Sequence, residues 1–228
     1  MSAIQDASTP HPGRNTCWQC YRVRSLCLCS EIRPFSLKPI IALLVHPKEY
    51  QRTVGTARVV KLSIANSRLW TGYGPDFDVN LEINAILSNP HFHPVVLYPG
   101  QDSLNVTTAT ADQLASALPA GKQLIIFVID GTWANAKRMI RQSKVLSHLP
   151  KISFHVHQTS QYEFRKQPHA FCLSTVEAVC ELVEQLEIRG LAQVTPPRAH
   201  FHMIEAFRYL VKGQLKAQVE LRKPRFVP

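Results

Sequence analysis

The 228-residue sequence lacks long hydrophobic runs. None of its apolar stretches approaches the ~20 residues that an α-helix needs to span a bilayer, so no membrane-spanning segment is predicted. The first residues, MSAIQDASTPHPGRN, also lack the apolar core of a secretory signal, and we expect a cytoplasmic protein. Thiols stay reduced in the cytoplasm, so we interpret the six cysteines as reduced side chains.

Acidic residues are scarce. Asp and Glu number 16 against 26 Lys and Arg, which gives a formal net charge of +10. Such a charge favours an anionic partner, more often nucleic acid than a membrane surface. The alternative is a protein that is basic without any such partner. A hydrophobic content of 45% excludes a disordered chain, and the sequence has no internal repeats or low-complexity segments.

Strand and helix patterns alternate from residue 34 onward. Short apolar runs rich in β-branched residues predict buried strands at 39–45, 94–98 and 124–129. Apolar residues at helical spacing, together with capping signals, predict helices at 53–65, 79–87, 109–118, 133–143, 174–189 and 202–221. This alternation predicts an α/β protein with a mostly parallel sheet.

Four of the six cysteines fall within 13 residues, in the pattern C-x2-C-x6-C-x-C. They are Cys17, Cys20, Cys27 and Cys29. Four thiolates suit tetrahedral zinc and leave no open position, so we predict a structural Zn²⁺ site. Unligated cysteines in a loop are the alternative. We expect a disordered tail at 1–14, a zinc module at 15–33 and a main domain at 34–228.

Other residues of the cysteine segment, and the two remaining cysteines, have separate interpretations. Tyr21, Arg22 and Arg24 lie within the segment, so the module is also a candidate RNA contact. Cys172 and Cys180 stand in apolar surroundings and are predicted to be core residues.

An acid and a glycine, Asp130 and Gly131, follow the strand predicted at 124–129. Ligands bind at the carboxyl ends of strands in open α/β sheets. An acid there, followed by a permissive glycine, can act as a base or hold a ligand. The alternative is that Asp130 or Thr132 only caps the next helix. Farther along, Ser174 and Glu177 have the spacing of a capping box that opens a helix.

Several short motifs occur in a fixed order along the chain. After the cysteine cluster come His46-Pro47-x-Glu49, Thr56-Ala57-Arg58 with Asn66-Ser67, Tyr98-Pro99-Gly100, Asp130-x-Thr132-Trp133, Tyr162-x-x-Arg165-Lys166 and Leu173-Ser174-Thr175-x-Glu177-Ala178. This ordered set, over roughly residues 17–210, resembles the DTW-domain family. The resemblance implies a SPOUT-like, knotted fold. It also implies transfer of the 3-amino-3-carboxypropyl group of S-adenosylmethionine to N3 of a uridine in tRNA.

The resemblance also suggests residue roles. Asp130 is the expected base for the uracil N3 proton, and three loops are expected to hold the cofactor. The predicted cofactor-binding residues are Tyr98, Pro99, Gly100, Gly131, Thr132, Trp133, Leu173, Ser174 and Thr175. Trp133 either stacks on a base or belongs to the core, and His46 lies either near the site or in the core.

Basic residues near such a site are expected to meet tRNA phosphates. The predicted RNA-binding residues are Arg58, Lys137, Arg138, Arg165 and Lys166. Each taken alone can also be a solvated surface charge. The basic helix predicted at 202–221 is either an RNA-guiding surface or a solvated face.

Two other functions fit the same sequence. A SPOUT-type RNA methyltransferase would use the methyl group of the same cofactor. A non-catalytic, zinc-stabilised RNA-binding protein would account for the charge and the cysteines alone. The expected partner is tRNA, and both a monomer and a homodimer fit the sequence.

Overall fold

The computed structural model describes residues 15–52, 55–156 and 173–222. Three predicted features therefore lie outside the described residues. These are the tail at 1–14, the motif that contains Arg165 and Lys166, and Cys172.

Six parallel strands form the central sheet. They are β2 (Ile40–Val45), β3 (Arg68–Thr71), β4 (Phe92–Leu97), β5 (Ser103–Asn105), β6 (Gln123–Asp130) and β7 (Lys151–Ser153). From one edge to the other, their order is β3-β2-β6-β4-β7-β5. Each neighbouring pair is parallel, which confirms the prediction of an α/β protein with a mostly parallel sheet. Two further strands, β1 (Ser36–Lys38) and β8 (Gln193–Thr195), pair antiparallel in a separate small sheet.

Helices cover both faces of the central sheet. They are α1 (Pro47–Tyr50), α2 (Thr56–Ser63), α3 (Gly74–Asp78), α4 (Leu81–Ser88), α5 (Ala111–Ala117), α6 (Trp133–Gln142), α7 (Lys144–His148), α8 (Thr175–Ile188) and α9 (Phe201–Arg222). Side chains of β2 alternate between two hydrophobic clusters: Leu43 packs with α2, α5, α8 and α9, and Leu44 packs with α3, α4, α6 and α7. Because β2 is covered on both faces, it is a continuous apolar run.

The long elements lie where the sequence predicts them, and the short ones were not predicted. Strands β2, β4 and β6 coincide with the three predicted strands within two residues at each end. Strand β3 at one edge of the sheet, and the three-residue strands β5 and β7, are too short or too polar to show a pattern. The same applies to helices α1, α3 and α7, which span four or five residues each.

The cysteine segment packs directly on the central domain. Cys20 and Leu28 are each 1% exposed and belong to the same hydrophobic cluster as α2, α8 and α9. Gly213 of α9 faces this segment, because a Cβ there would lie 3.4 Å from a methyl carbon of Leu26. The segment therefore shares its core with the sheet, while its boundaries at 15 and 33 stay a prediction.

A knotted SPOUT-like topology also stays a prediction, because residues 157–172, which join β7 to α8, lie outside the described residues. Within the described ranges, no helix is long and apolar enough to cross a membrane.

Candidate metal site and candidate active site

The four cysteines of the predicted zinc module converge on one point. Their sulfur atoms all lie within 4.8 Å of one another. The Sγ atoms of Cys17 and Cys29 are 3.7 Å apart, and those of Cys20 and Cys27 are 3.8 Å apart. Tetrahedral zinc with Zn–S bonds of about 2.3 Å places its sulfurs about 3.8 Å apart. The donor set and its spacing therefore fit a closed Zn²⁺ site.

Backbone hydrogen bonds shape the first half of this cluster. The N–H of Cys17 donates to the carbonyl of Arg22 at 2.7 Å, and the N–H of Tyr21 donates to the carbonyl of Cys17 at 2.8 Å. Tyr21 adopts φ 57°, a left-handed conformation that is uncommon outside glycine. The backbone N–H of Cys20 lowers the pKa of the Cys17 thiol to about 6. Burial raises the pKa of the Cys29 thiol, so the turn favours the metal-binding thiolate at Cys17 and not at Cys29.

The ends of β2 and β6 lie side by side at the carboxyl edge of the sheet. Val45 is in register with Asp130, and the backbone N–H of His46 donates to the carbonyl of Asp130 at 2.9 Å. Two motif segments that are far apart in sequence thus meet, because their strands are parallel neighbours.

The side chain of Asp130 is 5% exposed and has a partner from a third segment. The hydroxyl of Thr175, the first residue of α8, donates a hydrogen bond to Oδ1 of Asp130. This contact joins residues 45 positions apart. The fold therefore brings the segment around Asp130 together with the segment that opens α8.

Helix caps account for two other residues of these segments. Ser174 caps α8: its Oγ accepts from the N–H of Glu177 at 3.4 Å, and its own N–H donates to a carboxylate oxygen of Glu177 at 2.7 Å. The predicted capping box is confirmed. Thr132 caps α6 by accepting from the N–H of Asn135 at 3.2 Å. The capping alternative therefore applies to Thr132, whereas Asp130 contacts the start of α8.

A cleft of about 250 Å³ opens beside this junction, at the carboxyl ends of β4, β6 and β7. Six of the nine predicted cofactor-binding residues line it: Tyr98, Pro99, Gly131, Trp133, Leu173 and Thr175. The other three lie next to lining residues: Gly100 in an exposed loop, and Thr132 and Ser174 as caps. Asp130 is buried between the lining residues Ile129 and Gly131. Cofactor binding by these residues stays a prediction.

The wall of the cleft contains two aromatic rings and a segment that was not predicted. The ring centroids of Tyr98 and Trp133 are 6.3 Å apart, and Trp133 is 48% exposed, so it is not a core residue. Ser153 and Phe154, at the end of β7, also line the cleft. The hydroxyl of Ser153 lies 2.8 Å from that of Ser103. Three-residue strands leave no periodic signal, so these residues could not be identified from the sequence.

His46 lies beside the carbonyl of Asp130 as a neutral side chain. Its Nδ1 accepts from the N–H of Lys48 at 3.2 Å, so the neutral ring carries its proton on Nε2. Burial lowers the pKa of His46, although the nearby Glu49 carboxylate opposes this shift. Tyr73 packs edge-on against the imidazole, with ring centroids 5.1 Å apart. His46 is thus a buried residue adjacent to the site.

The predicted RNA-binding residues fall into two groups. Lys137 and Arg138 are exposed on α6, in the turn that follows Trp133. Arg58 is different, since its guanidinium carbon lies 4.0 Å from the ring centroid of Tyr21 and 4.7 Å from that of Tyr50. It therefore connects the cysteine segment to α1. RNA binding by all three stays a prediction.

Comparisons with known proteins identify related sequences. The sequence model of the DTW domain matches residues 14–215. The chain is 28% identical over 194 residues to tRNA-uridine aminocarboxypropyltransferase 2 of Drosophila melanogaster, covering 83% of this chain and 73% of that protein. The Mus musculus protein of the same name is 27% identical over 215 residues, covering 92% and 67%. The tRNA-uridine aminocarboxypropyltransferase A of Arabidopsis thaliana is 25% identical over 214 residues, covering 82% and 78%. No solved structure matches the chain.

Proposed function

The chain belongs to the DTW-domain family, and on that premise we propose that it transfers the 3-amino-3-carboxypropyl group of S-adenosylmethionine to N3 of a uridine in tRNA. The names of the relatives support the reaction and the tRNA substrate. The observation that carries the proposal is the hydrogen bond from Thr175 to Asp130, which joins two motif segments at the edge of a cleft.

The residues around the cleft fit S-adenosylmethionine. Aromatic walls at Tyr98 and Trp133 suit a nucleobase, and the apolar side chains of Leu97 and Val128 suit the carbon chain. Backbone and hydroxyl groups near Gly131 and Thr175 offer polar partners for the charged end. When bound, S-adenosylmethionine would supply an aminocarboxypropyl chain on its sulfonium. The bond from that chain to sulfur would break as the bond to N3 forms, and neutral 5′-methylthioadenosine would leave.

Asp130 acts as the base in this proposal. Uracil N3 is a poor nucleophile while it carries its proton, so a group at the site must accept or attract that proton. The Thr175 hydroxyl holds Oδ1 and thereby orients the carboxylate. A positioned base of this kind contributes about 10²- to 10⁴-fold to the rate.

The four cysteines hold a structural Zn²⁺ in this proposal. With Cys17, Cys20, Cys27 and Cys29 as ligands, the coordination shell is closed and has no position for a substrate. The metal therefore stabilises the 15–33 module, while the cleft performs the transfer.

The remaining proposals concern the context of the enzyme. We propose a SPOUT-like knotted catalytic domain at 34–228, a tail at 1–14 and a cytoplasmic location. The net charge of +10 suits tRNA as the partner. Lys137 and Arg138, exposed beside Trp133, are the proposed phosphate contacts nearest the cleft.

Two labelled samples of S-adenosylmethionine test the reaction. One carries label in the methyl carbon, and the other carries it in the carbons of the aminocarboxypropyl chain. Each is incubated with the full-length protein and unmodified tRNA, and the nucleosides are separated. We expect chain label, and no methyl label, in uridine. Methyl label in the RNA would instead identify a methyltransferase, and binding of tRNA without any transfer would identify a non-catalytic RNA-binding protein.

A further inference from the structure

The indole ring of Trp18 projects into solvent. At 67% exposure it is the most exposed Trp, Tyr or Phe in the described part of the chain. Leaving a large aromatic surface in water is unfavourable, because such rings dominate the burial energy of cores and interfaces. The ring does not pack into the core of the fold. The residues around it therefore indicate which kind of ligand could bind to it.

The backbone that carries Trp18 is held in one conformation. The residue lies between two proposed metal ligands, Cys17 and Cys20, in a hairpin closed by the pairing of Thr16 with Val23. The N–H of Cys17 also donates to the carbonyl of Arg22 at 2.7 Å. A ring presented on such a fixed turn loses little conformational entropy when a ligand stacks on it.

Side-chain contacts link the turn to the segment that follows β2. Tyr21, at its end, packs on the guanidinium of Arg58, and the same guanidinium packs on Tyr50 of α1. Helix α1 begins immediately after β2, and its N-cap His46 bonds to the carbonyl of Asp130. A continuous series of contacts therefore connects the turn to the segment around Asp130.

The positive charges near these contacts favour a nucleic acid as the ligand of the Trp18 ring. Arg24 and Arg33 are exposed on the cysteine segment, and Lys48 is exposed on α1. Arg52, exposed just after α1, forms an ion pair with Glu49, with Nε 3.5 Å from Oε2. An aromatic ring among cations suits a nucleobase and its phosphates, because stacking and charge act together on single-stranded nucleic acid. A protein-docking patch would need more apolar surface than Trp18 and the exposed Val23 provide in this hairpin.

We propose that Trp18 is a stacking platform for an unpaired nucleobase of the RNA substrate, at a position outside the cleft. The proposal rests on the proposed function for the identity of the RNA, but it concerns binding and not transfer. The metal then has a second consequence for function, because it fixes the turn that presents the ring.

Binding of unmodified tRNA to the full-length protein tests this platform. Stacking on an aromatic ring contributes about 5- to 150-fold to affinity per base. We expect the Kd of Trp18→Ala to rise within this range, and that of Trp18→Phe to rise less because the ring is retained. Leu81→Ala is the matched control, since Leu81 is an apolar residue at 85% exposure outside the cysteine segment, and its Kd should equal that of the wild type.

Two further readouts separate stacking from other causes. The slope of log Kd against log salt should be the same for Trp18→Ala and the wild type, since no phosphate contact is removed. Binding of a blunt RNA duplex without unpaired bases should be unaffected by the substitution. Metal content, measured in the same samples, should remain that of the wild type.

A Kd for Trp18→Ala within twofold of the wild type overturns the proposal, as does an equal loss of affinity for the blunt duplex. Failure of the proposed function has a different signature. In that case the aminocarboxypropyl label is not transferred to uridine, while the comparison of Kd values still gives its result.

Discussion

The two candidate sites of this protein are held in different ways. The metal site takes its ligands from 13 consecutive residues, in turns with little regular secondary structure. The cleft takes its lining from segments spread between Leu97 and Ala178, and the central sheet brings them together.

This difference determines what each site depends on. The four thiols meet within short turns, and a bound ion is expected to hold them together there. The cleft needs no ion for its shape, since β4, β6 and β7 end at one edge of a packed sheet. The metal site should therefore lose its ion and its structure when one cysteine ligand is removed. The cleft should keep its structure but lose transfer activity when the proposed base is replaced.

Removal of a cysteine ligand should have the largest effect. Structural zinc sites have apparent binding free energies of about 10–16 kcal/mol in zinc-finger peptides, and this energy is also folding energy. Because Cys20 lies in the sheet core, Cys20→Ser should lose the metal and lower the melting temperature of the whole protein. Elemental analysis and a thermal melt measure the two effects. Cys180→Ala is the control, since this buried cysteine lies outside the cluster and its removal should leave the metal content intact.

Substitution of the proposed base should affect chemistry without affecting shape. Asp130→Asn keeps an oxygen that accepts from the Thr175 hydroxyl, so we expect a melting temperature close to that of the wild type. The rate of transfer should fall by about 10²- to 10⁴-fold, with the Kd for tRNA unchanged. Thr175→Ser, which retains the hydroxyl, is the control and should stay within a few-fold of the wild type. Full turnover by Asp130→Asn would remove this residue from the mechanism.

Alanine substitutions in two similar capping boxes distinguish an effect on stability from an effect on transfer activity. Ser174 with Glu177 opens α8 beside the cleft, and Thr110 with Gln113 opens α5 elsewhere. Replacing either cap by alanine should cost about 1 kcal/mol of the free energy of unfolding, as seen in denaturant titrations. Only Ser174→Ala should also reduce transfer, because it disturbs the start of α8, where Thr175 holds Asp130. Equal transfer by the two variants would contradict this.

The smallest expected effect is that of His200 on how the free energy of unfolding depends on pH. His200 is 1% exposed, and burial lowers its pKa, reinforced by Arg198 and opposed by Glu184. The carboxylate of Glu187 lies 3.5 Å from Nδ1 and does not reverse this direction. Above pH ~6.5 the ring is neutral in both states. Below that pH the unfolded chain binds more protons, so the free energy of unfolding falls as pH falls.

The variant His200→Gln tests whether buried His200 contributes to this loss of stability at low pH. The variant should show a shallower loss of stability between pH 7 and pH 5, followed by denaturant titration at each pH. One histidine contributes at most about 1.4 kcal/mol per pH unit. An identical slope in both proteins would mean that His200 is protonated equally in the folded and unfolded states.

The same contrast between local and distant contacts explains what the sequence could predict. The cysteine spacing indicates a metal site because the ligands are close in sequence, and the long apolar runs at β2, β4 and β6 indicate their own strands. The partnership of Asp130 with Thr175 depends on where α8 begins relative to β6, which no local pattern contains. Arg58 has the same limitation, since only the fold brings both Tyr21 and Tyr50 into contact with it.

The order of strands also has a consequence for the time course of synthesis. Strands β2 and β4 have no hydrogen bonds to each other, because β6 lies between them, and β7 likewise separates β4 from β5. A nascent chain that ends before residue 123 therefore has two apolar strands whose shared partner has not yet been made. Such unpaired edges are prone to aggregation, and distant pairings form slowly. Strands β2 and β4 can be joined only once β6 has left the ribosome, and β5 can join the central sheet only once β7 has followed.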